Sequence, residues 1–415
     1  MDATTDALDF CAALARGTQI ELAECQLDAV AAREGVIRAF VCYDAAATRE
    51  QLACRSGPLA GALVGVKDII RTADFPTRHG STVPDDMAAR RDAWCVAETR
   101  RLGGTILGKT VCTEFAYPAP GPTTNPHDPR RTPGGSSSGS AAAVAAGFVS
   151  FALGTQTAGS TIRPASYCGV TGFKPTYGLL HTDGVQAIST TLDHLGVFAG
   201  SPRDAWYFTS AMILNRAEVV VARRPRRLLV LRFPSETPQH DDYPKRMSDL
   251  AASLHRGGVA VTTIDLPFPA DQFANLQKQL CYWEVARILR VPGPVRLVPQ
   301  LDSMLAPYRD MDVAQYLSAR ARQRAYQAEF QTLAVDYDAV LMPAATGAAP
   351  LISETGDAIM NRFWTALHVP AITVPMWLTS ERLPLGLQLL GALGTDRVLA
   401  ETAQWFYERS LAERH

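Results

Sequence analysis

The chain has 415 residues, 47% of them hydrophobic and 20% charged, with a formal net charge of −1. Those values suit a soluble globular protein and give no basic excess that would suggest a nucleic acid or an anionic membrane as partner. The eight cysteines are scattered without a CxxC pair and the eight histidines are not paired at ligand spacing, so reduced thiols and no metal site are expected.

The opening MDATTDALDF has no basic n-region ahead of an apolar core, so no signal peptide is expected. The longest apolar stretch, around Ala141 to Gly154, is too short and too rich in Ala and Gly to span a bilayer. A cytoplasmic protein is the expectation.

In chain order, residues 6–34 carry apolar positions at helical spacing, with Thr18 as a candidate N-cap. Gly61 to Ile70 (GALVGVKDII) reads as a short apolar strand that carries one lysine, Lys67. A lysine at a strand end ordinarily keeps its ammonium in water. Burial would lower its pKa and make it usable as a base. Asp92 to Leu102 looks helical, and Gly103 to Thr110 (GGTILGKT) matches a phosphate-binding Walker A pattern. That pattern needs a strand before it and a helix after it, whereas here a helix precedes and TILGK itself reads as the strand. Nucleotide binding is therefore not expected.

Residues 118–133 form a loop dense in Pro, Asn and Asp. It leads into Thr132 to Gly178, where two Gly-Ser clusters, Gly134 to Ser138 and Ala158 to Ser160, bracket a helix-length AAAVAA and a strand-length FVSFALG. Glycine allows close backbone approach, so both clusters can present N–H groups and hydroxyls to one site.

Further on, Arg223 to Arg227 reads as a solvated basic turn before a strand at Leu228 to Leu231. An amphipathic helix at Lys245 to Arg256 and a strand at Val259 to Thr263 follow, a β-α-β rhythm that implies parallel pairing. Residues 268–332 read as mostly helical and include Tyr282, Trp283 and Tyr308. Strands at Ala339 to Pro343, Ala371 to Pro375 and Pro384 to Gly391 and a helix at Leu399 to Leu411 close the chain. With no repeat or linker in evidence, the expected fold is α/β: one domain over 1–415 with a central mixed, largely parallel sheet inside a helical shell.

Three readings compete for the serine-rich stretch. Gly135-Ser136-Ser137-Ser138-Gly139 fits GxSxG, the nucleophile elbow, but that elbow needs a preceding strand, and its histidine would have to be His368, in a helical-looking stretch. Simple turn-making by glycine and serine is the second reading. The third starts from the longer pattern. GGSSSGSAAAVAAG followed by ALGTQTAGSTIRPASYCGVTGFKPTYG resembles the amidase signature family, and so do GALVGVKDII, LGGTILGKTVCTEFA, PAITVPM and LPLGLQLLG elsewhere. Within it, NPHDPRRTPGGSSSGS and NRFWTAL look most like the malonamidase-type members.

The resemblance implies a Ser-Ser-Lys triad within a signature core at 61–200: Lys67 as base, Ser136 as bridging serine after a cis peptide bond, and Ser160 as nucleophile. It implies an oxyanion hole from the backbone N–H groups of Thr157, Ala158 and Gly159, and no cofactor. Arg163, three residues after the nucleophile, matches a binder of the substrate's carboxylate, with Ser137 and Gln156 as further substrate-binding candidates. Gln156 and Ala158 depart from the Asp-Thr-Gly-Gly-Ser of many relatives. Residues 268–332 are the candidate substrate-covering region.

The expected activity is cleavage of the C–N bond of a small amide, with one bearing a carboxylate such as malonamate favoured, by a homodimer. The alternatives are a urethane, aryl-amide or ester hydrolase with the same triad, or an amidotransferase-type subunit of a heteromeric complex.

Overall fold

The computed structural model describes residues 9–52, 54–81, 91–117, 119–235, 237–240, 242–288 and 299–412. Their strands are β1 (Phe40–Tyr43), β2 (Leu63–Lys67), β3 (Thr105–Thr110), β4 (Phe151–Gln156), β5 (Thr171–Lys174) and β6 (His194–Ala199). The second half adds β7 (Arg227–Arg232), β8 (Ala260–Asp265), β9 (Ala339–Pro343), β10 (Ala371–Leu378) and β11 (Pro384–Leu390). They form one eleven-stranded sheet in the order β1-β3-β2-β4-β6-β5-β10-β11-β9-β7-β8.

The sheet is mixed, as expected, but its parallel share is smaller than the β-α-β rhythm implies. Parallel pairing is confined to β3-β2-β4 on one flank and β9-β7-β8 on the other. Between them every pair is antiparallel.

The first helices are α1 (Phe10–Arg16) and α2 (Gln19–Ile37). The helical spacing over 6–34, whose first residues lie outside the described ones, is divided between these two helices at Gly17, which takes a left-handed φ of 71°. Thr18 does not cap α2 with its side chain; its hydroxyl donates to the Ala13 carbonyl instead. Then come α3 (Ala45–Leu52), α4 (Trp94–Arg101), α5 (Ser138–Ala145), α6 (Ile162–Cys168) and α7 (Pro202–Leu214). After α8 (Asp242–Arg256), the expected helical region is α9 (Ala270–Ile288), α10 (Pro299–Arg309) and α11 (Val313–Ala334). Finally α12 (Ile359–Ala366) precedes β10, and α13 (Asp396–Ala412) closes the described chain.

β2 and β4 are buried along their whole length, as strands covered on both faces must be. Alternate residues serve different layers. Val64, Val66, Phe151 and Leu153 join the cluster that holds Phe208 and Phe406. Leu63 and Ala152 join the one that holds Ala141 to Val144 of α5. The period of two thus puts Lys67 on the Leu63 face, the α5 side of the sheet. The small residues of α5 let it lie close: a Cβ on Gly139 would come within 2.2 Å of the Ala39 carbonyl oxygen.

The Walker-like lysine has a structural role. Lys109 ends up in strand β3 with its ammonium 3.2 Å from Asp68, both side chains wholly buried, and donates to the Thr77 hydroxyl at 2.6 Å. Removing one partner of a buried ion pair strands the other charge. Lys109→Ala should therefore lower the unfolding free energy in a urea titration by about 3–5 kcal/mol. A loss under about 1 kcal/mol, the range of an exposed pair, would contradict that role.

Candidate active site

Lys67 stands at the carboxyl end of β2, and the turn 157–161 follows the carboxyl end of its parallel neighbour β4. Ligand sites of α/β sheets form at such strand ends. Lys67 is fully buried. Its Nζ lies 2.7 Å from Ser136 Oγ and 2.7 Å from Thr155 Oγ1, and no carboxylate among the described residues pairs with it. Burial therefore dominates and lowers its pKa to about 8. The Gly135–Ser136 peptide bond is cis. Ser136 and Ser160 line one cleft of about 550 Å³.

The turn after β4 is held by its carbonyls. Gln277 Nε2 donates to Thr157 O at 2.9 Å, the Thr365 hydroxyl to Ala158 O at 2.6 Å, and the Arg163 N–H to Gly159 O at 3.0 Å. In a trans peptide the carbonyl and the next N–H point in opposite directions. Drawing these carbonyls into the protein turns the N–H groups of Ala158, Gly159 and Ser160 the other way. Gly159 admits no side chain, since a Cβ there would sit 2.6 Å from Asn361 Oδ1 of α12. Thr157 is also fixed through its hydroxyl, which donates to Asp193 at 2.5 Å.

Arg163 lines the cleft and is 6% exposed. Its Nη2 donates to Gly135 O at 2.6 Å, and its buried Nε has no hydrogen-bond partner among the described residues. Burial lowers its pKa. A second guanidinium, Arg362 of α12, lines the same cleft, with its Nη2 2.6 Å from Asp357.

Two of the substrate-binding candidates are turned away. Gln156 is absent from the cleft wall because both ends of its amide are used inside. Its Oε1 accepts the N–H groups of Thr161 and Ile162 at the start of α6, and its Nε2 donates to Thr365. Ser137 is fully buried and exchanges hydrogen bonds with the Thr155 backbone. Both shape the turn rather than face a ligand. His368, the only histidine with elbow-like order, is also elsewhere: it stacks on Tyr177 and pairs with Thr191 O at 2.8 Å.

A family model described as Amidase matches residues 28–399. The chain belongs to the amidase family. Across 97% of both chains it is 30% identical to a glutamyl-tRNA(Gln) amidotransferase subunit from Thermus thermophilus. A solved amidase structure superposes with a TM-score of 0.86 at 27% identity, over 97% of this chain and 100% of that one. The native peptide amidase of Stenotrophomonas maltophilia gives 0.79 at 27% identity, over 99% and 97%.

In this amidase-family enzyme, several residues around the cleft carry no motif signal. Asp193, Gln277 and Thr365 reach the turn from β6's approach, from α9 and from α12. Only Gln277 had a local clue, as a buried polar residue on the apolar face of α9 beside Phe273, Leu276 and Leu280. Of the aromatics between 268 and 332, Tyr282 lines the cleft. Trp283 stacks on Tyr316 at 3.9 Å, and Tyr308 packs on Tyr282 from a neighbouring groove. Among the described residues, no helix is long and apolar enough to cross a membrane.

Proposed function

We propose that the chain hydrolyses a small amide through an acyl-enzyme on Ser160, activated by Ser136 and Lys67. The observation that carries this reading is Lys67 Nζ at 2.7 Å from Ser136 Oγ, at the cleft that Ser160 also lines. A serine hydroxyl is a weak nucleophile until a base takes its proton. Neutral Lys67 accepts the Ser136 proton, and Ser136 accepts that of Ser160 as its Oγ attacks the amide carbon. The N–H groups of Ala158 and Gly159, turned away from the inward-held carbonyls that precede them, hold the developing oxyanion together with that of Thr157, each donor being worth roughly 3 kcal/mol. The C–N bond then breaks, the amine leaves with the proton returned through Ser136, and water releases the acid from the ester.

Arg163, with Arg362 beside it, favours a substrate whose acyl part ends in a carboxylate, because a guanidinium pairs with that group in two-point geometry. The place of Arg163 in the cleft wall supports this, although its Nη2 already ties down Gly135 and its Nε is buried away from solvent. Helices α9 and α10 supply Tyr282 and Met304 to the cleft wall, which fits a substrate-covering role for this region. The likeness to one component of an amidotransferase favours a second reading, in which the chain acts within a heteromeric complex. In the first reading the chain acts in the cytoplasm as a homodimer.

Ammonia release by the isolated chain tests both. Malonamate should be preferred over its uncharged near-isostere butyramide by roughly 10- to 100-fold in kcat/KM, the worth of one charge-assisted contact. Equal turnover of the two would return Arg163 to the scaffold. Feeble turnover of every simple amide, restored by a co-purifying protein, would favour the heteromeric reading.

A further inference from the structure

Helix α9 reaches the oxyanion turn twice from one face. Gln277 and Glu284 are seven residues apart, two helical turns. Gln277 takes the Thr157 carbonyl directly. Glu284, 5% exposed, takes the loop 188–193 that stands between the helix and that turn. Its Oε2 accepts the Ser189 hydroxyl at 2.7 Å, the Thr191 N–H at 3.1 Å and the Thr190 hydroxyl at 3.3 Å. Its Oε1 accepts the Thr191 hydroxyl at 2.5 Å and the Tyr316 hydroxyl of α11 at 2.7 Å. Five donors on one buried carboxylate fix this loop against both helices.

The loop's other end carries a second carboxylate. Asp193 Oδ2 accepts the N–H groups of Ile188 and Ser189 at 2.8 and 2.9 Å, and its Oδ1 accepts the Thr157 hydroxyl at 2.5 Å. Ser189 is common to both carboxylates: its hydroxyl serves Glu284 and its N–H serves Asp193. Thr157 is therefore gripped by α9 directly through its carbonyl and at one remove through its hydroxyl. We propose that Glu284 is a positioning residue for the oxyanion donors, acting through the loop 188–193 and the Asp193 carboxylate on Thr157. The helix that forms a wall of the cleft then also sets the aim of the N–H groups that stabilise the transition state. Removing Glu284 leaves five donors to rearrange, and a small misplacement of preorganised donors slows the chemical step without an equal effect on substrate binding.

The inference rests on the Ser160 acyl-enzyme reading, and the pre-steady-state hydrolysis of p-nitrophenyl acetate separates the two. The burst amplitude counts nucleophiles that acylate, while the burst rate reports acylation itself. The expected result for Glu284→Ala is an amplitude near that of the unaltered enzyme with a burst rate roughly 10- to 100-fold lower. Thr157→Val, which removes only the hydroxyl that reaches Asp193, should slow the burst in the same way. The double variant should be no slower than the more impaired single one, because both cut the same connection and contacting networks are non-additive. Tyr316→Phe, which takes away one of the five donors at the edge of the cluster, should give a smaller loss in the burst rate. It keeps the test open if Glu284→Ala fails to fold. A Glu284→Ala burst with reduced amplitude and unchanged rate would mean a merely structural role and overturn the inference, as would losses that multiply in the double variant or a Tyr316→Phe burst rate equal to that of the unaltered enzyme. Absence of any burst, together with failure of Ser160 in the unaltered enzyme to take up a fluorophosphonate label, would instead overturn the acyl-enzyme reading.

Discussion

Replacing Ser160 by Ala should lower kcat by roughly 10⁴- to 10⁶-fold, the scale seen when a serine nucleophile is removed from a preorganised site. It should also abolish covalent labelling by a fluorophosphonate. Two other groups at the cleft could take over in principle. Cys281 lines it, but burial, reinforced by Asp193 and Glu284, pushes its thiol well above the ordinary range. It stays a thiol, and the thiolate is the reactive form. Ser136 already bonds Lys67 and would be the better-activated hydroxyl if proton transfer ended there. Intact-mass analysis after labelling decides. Label retained in Ser160→Ala and lost in Ser136→Ala would exchange the roles of the two serines. Label lost in Ser160→Ala and retained, more slowly formed, in Ser136→Ala would support the order proposed here.

The residues that form this site were legible to different degrees, for physical reasons. Lys67, Ser136 and Ser160 sit in stretches whose glycines and small residues are dictated by close packing, so the motif around each is long and specific. The direction of a side chain within such a motif is another matter. Gln156 and Ser137 lie beside the reacting groups in sequence. Gln156 is drawn inward by the free N–H groups at the start of α6, and Ser137 by the backbone of β4. Neither attraction can be read before the neighbours are known. Asp193, Gln277 and Glu284 come from loops and helices far along the chain and meet the turn only through packing. The same holds for the sheet. Local rhythm suggested parallel pairing around β7 and β8, which is correct there. It carried no information about β5 meeting β10 across almost two hundred residues, where the pairing is antiparallel.

Lys67 gives the second large effect, and its sign follows from its charge state. As the base it must be neutral, and burial without a carboxylate partner among the described residues holds its pKa at about 8. A neutral amine has one lone pair to take the Ser136 proton and N–H groups to satisfy Thr155 Oγ1, which suits both 2.7 Å contacts. With the base protonated below about pH 8, kcat/KM should fall about tenfold per pH unit on the acid side and level off above it. Lys67→Ala should lower kcat by roughly 10³-fold or more at neutral pH, within the span found for removing one member of a catalytic triad. Lys67→Arg should do no better, since a guanidinium remains charged throughout. The decisive comparison is the pH profile of the weak activity left in Lys67→Ala. If the limb near pH 8 belongs to Lys67, the residual rate loses it. A limb that persists unchanged in the variant would assign that titration to another group and remove Lys67 from the proton path.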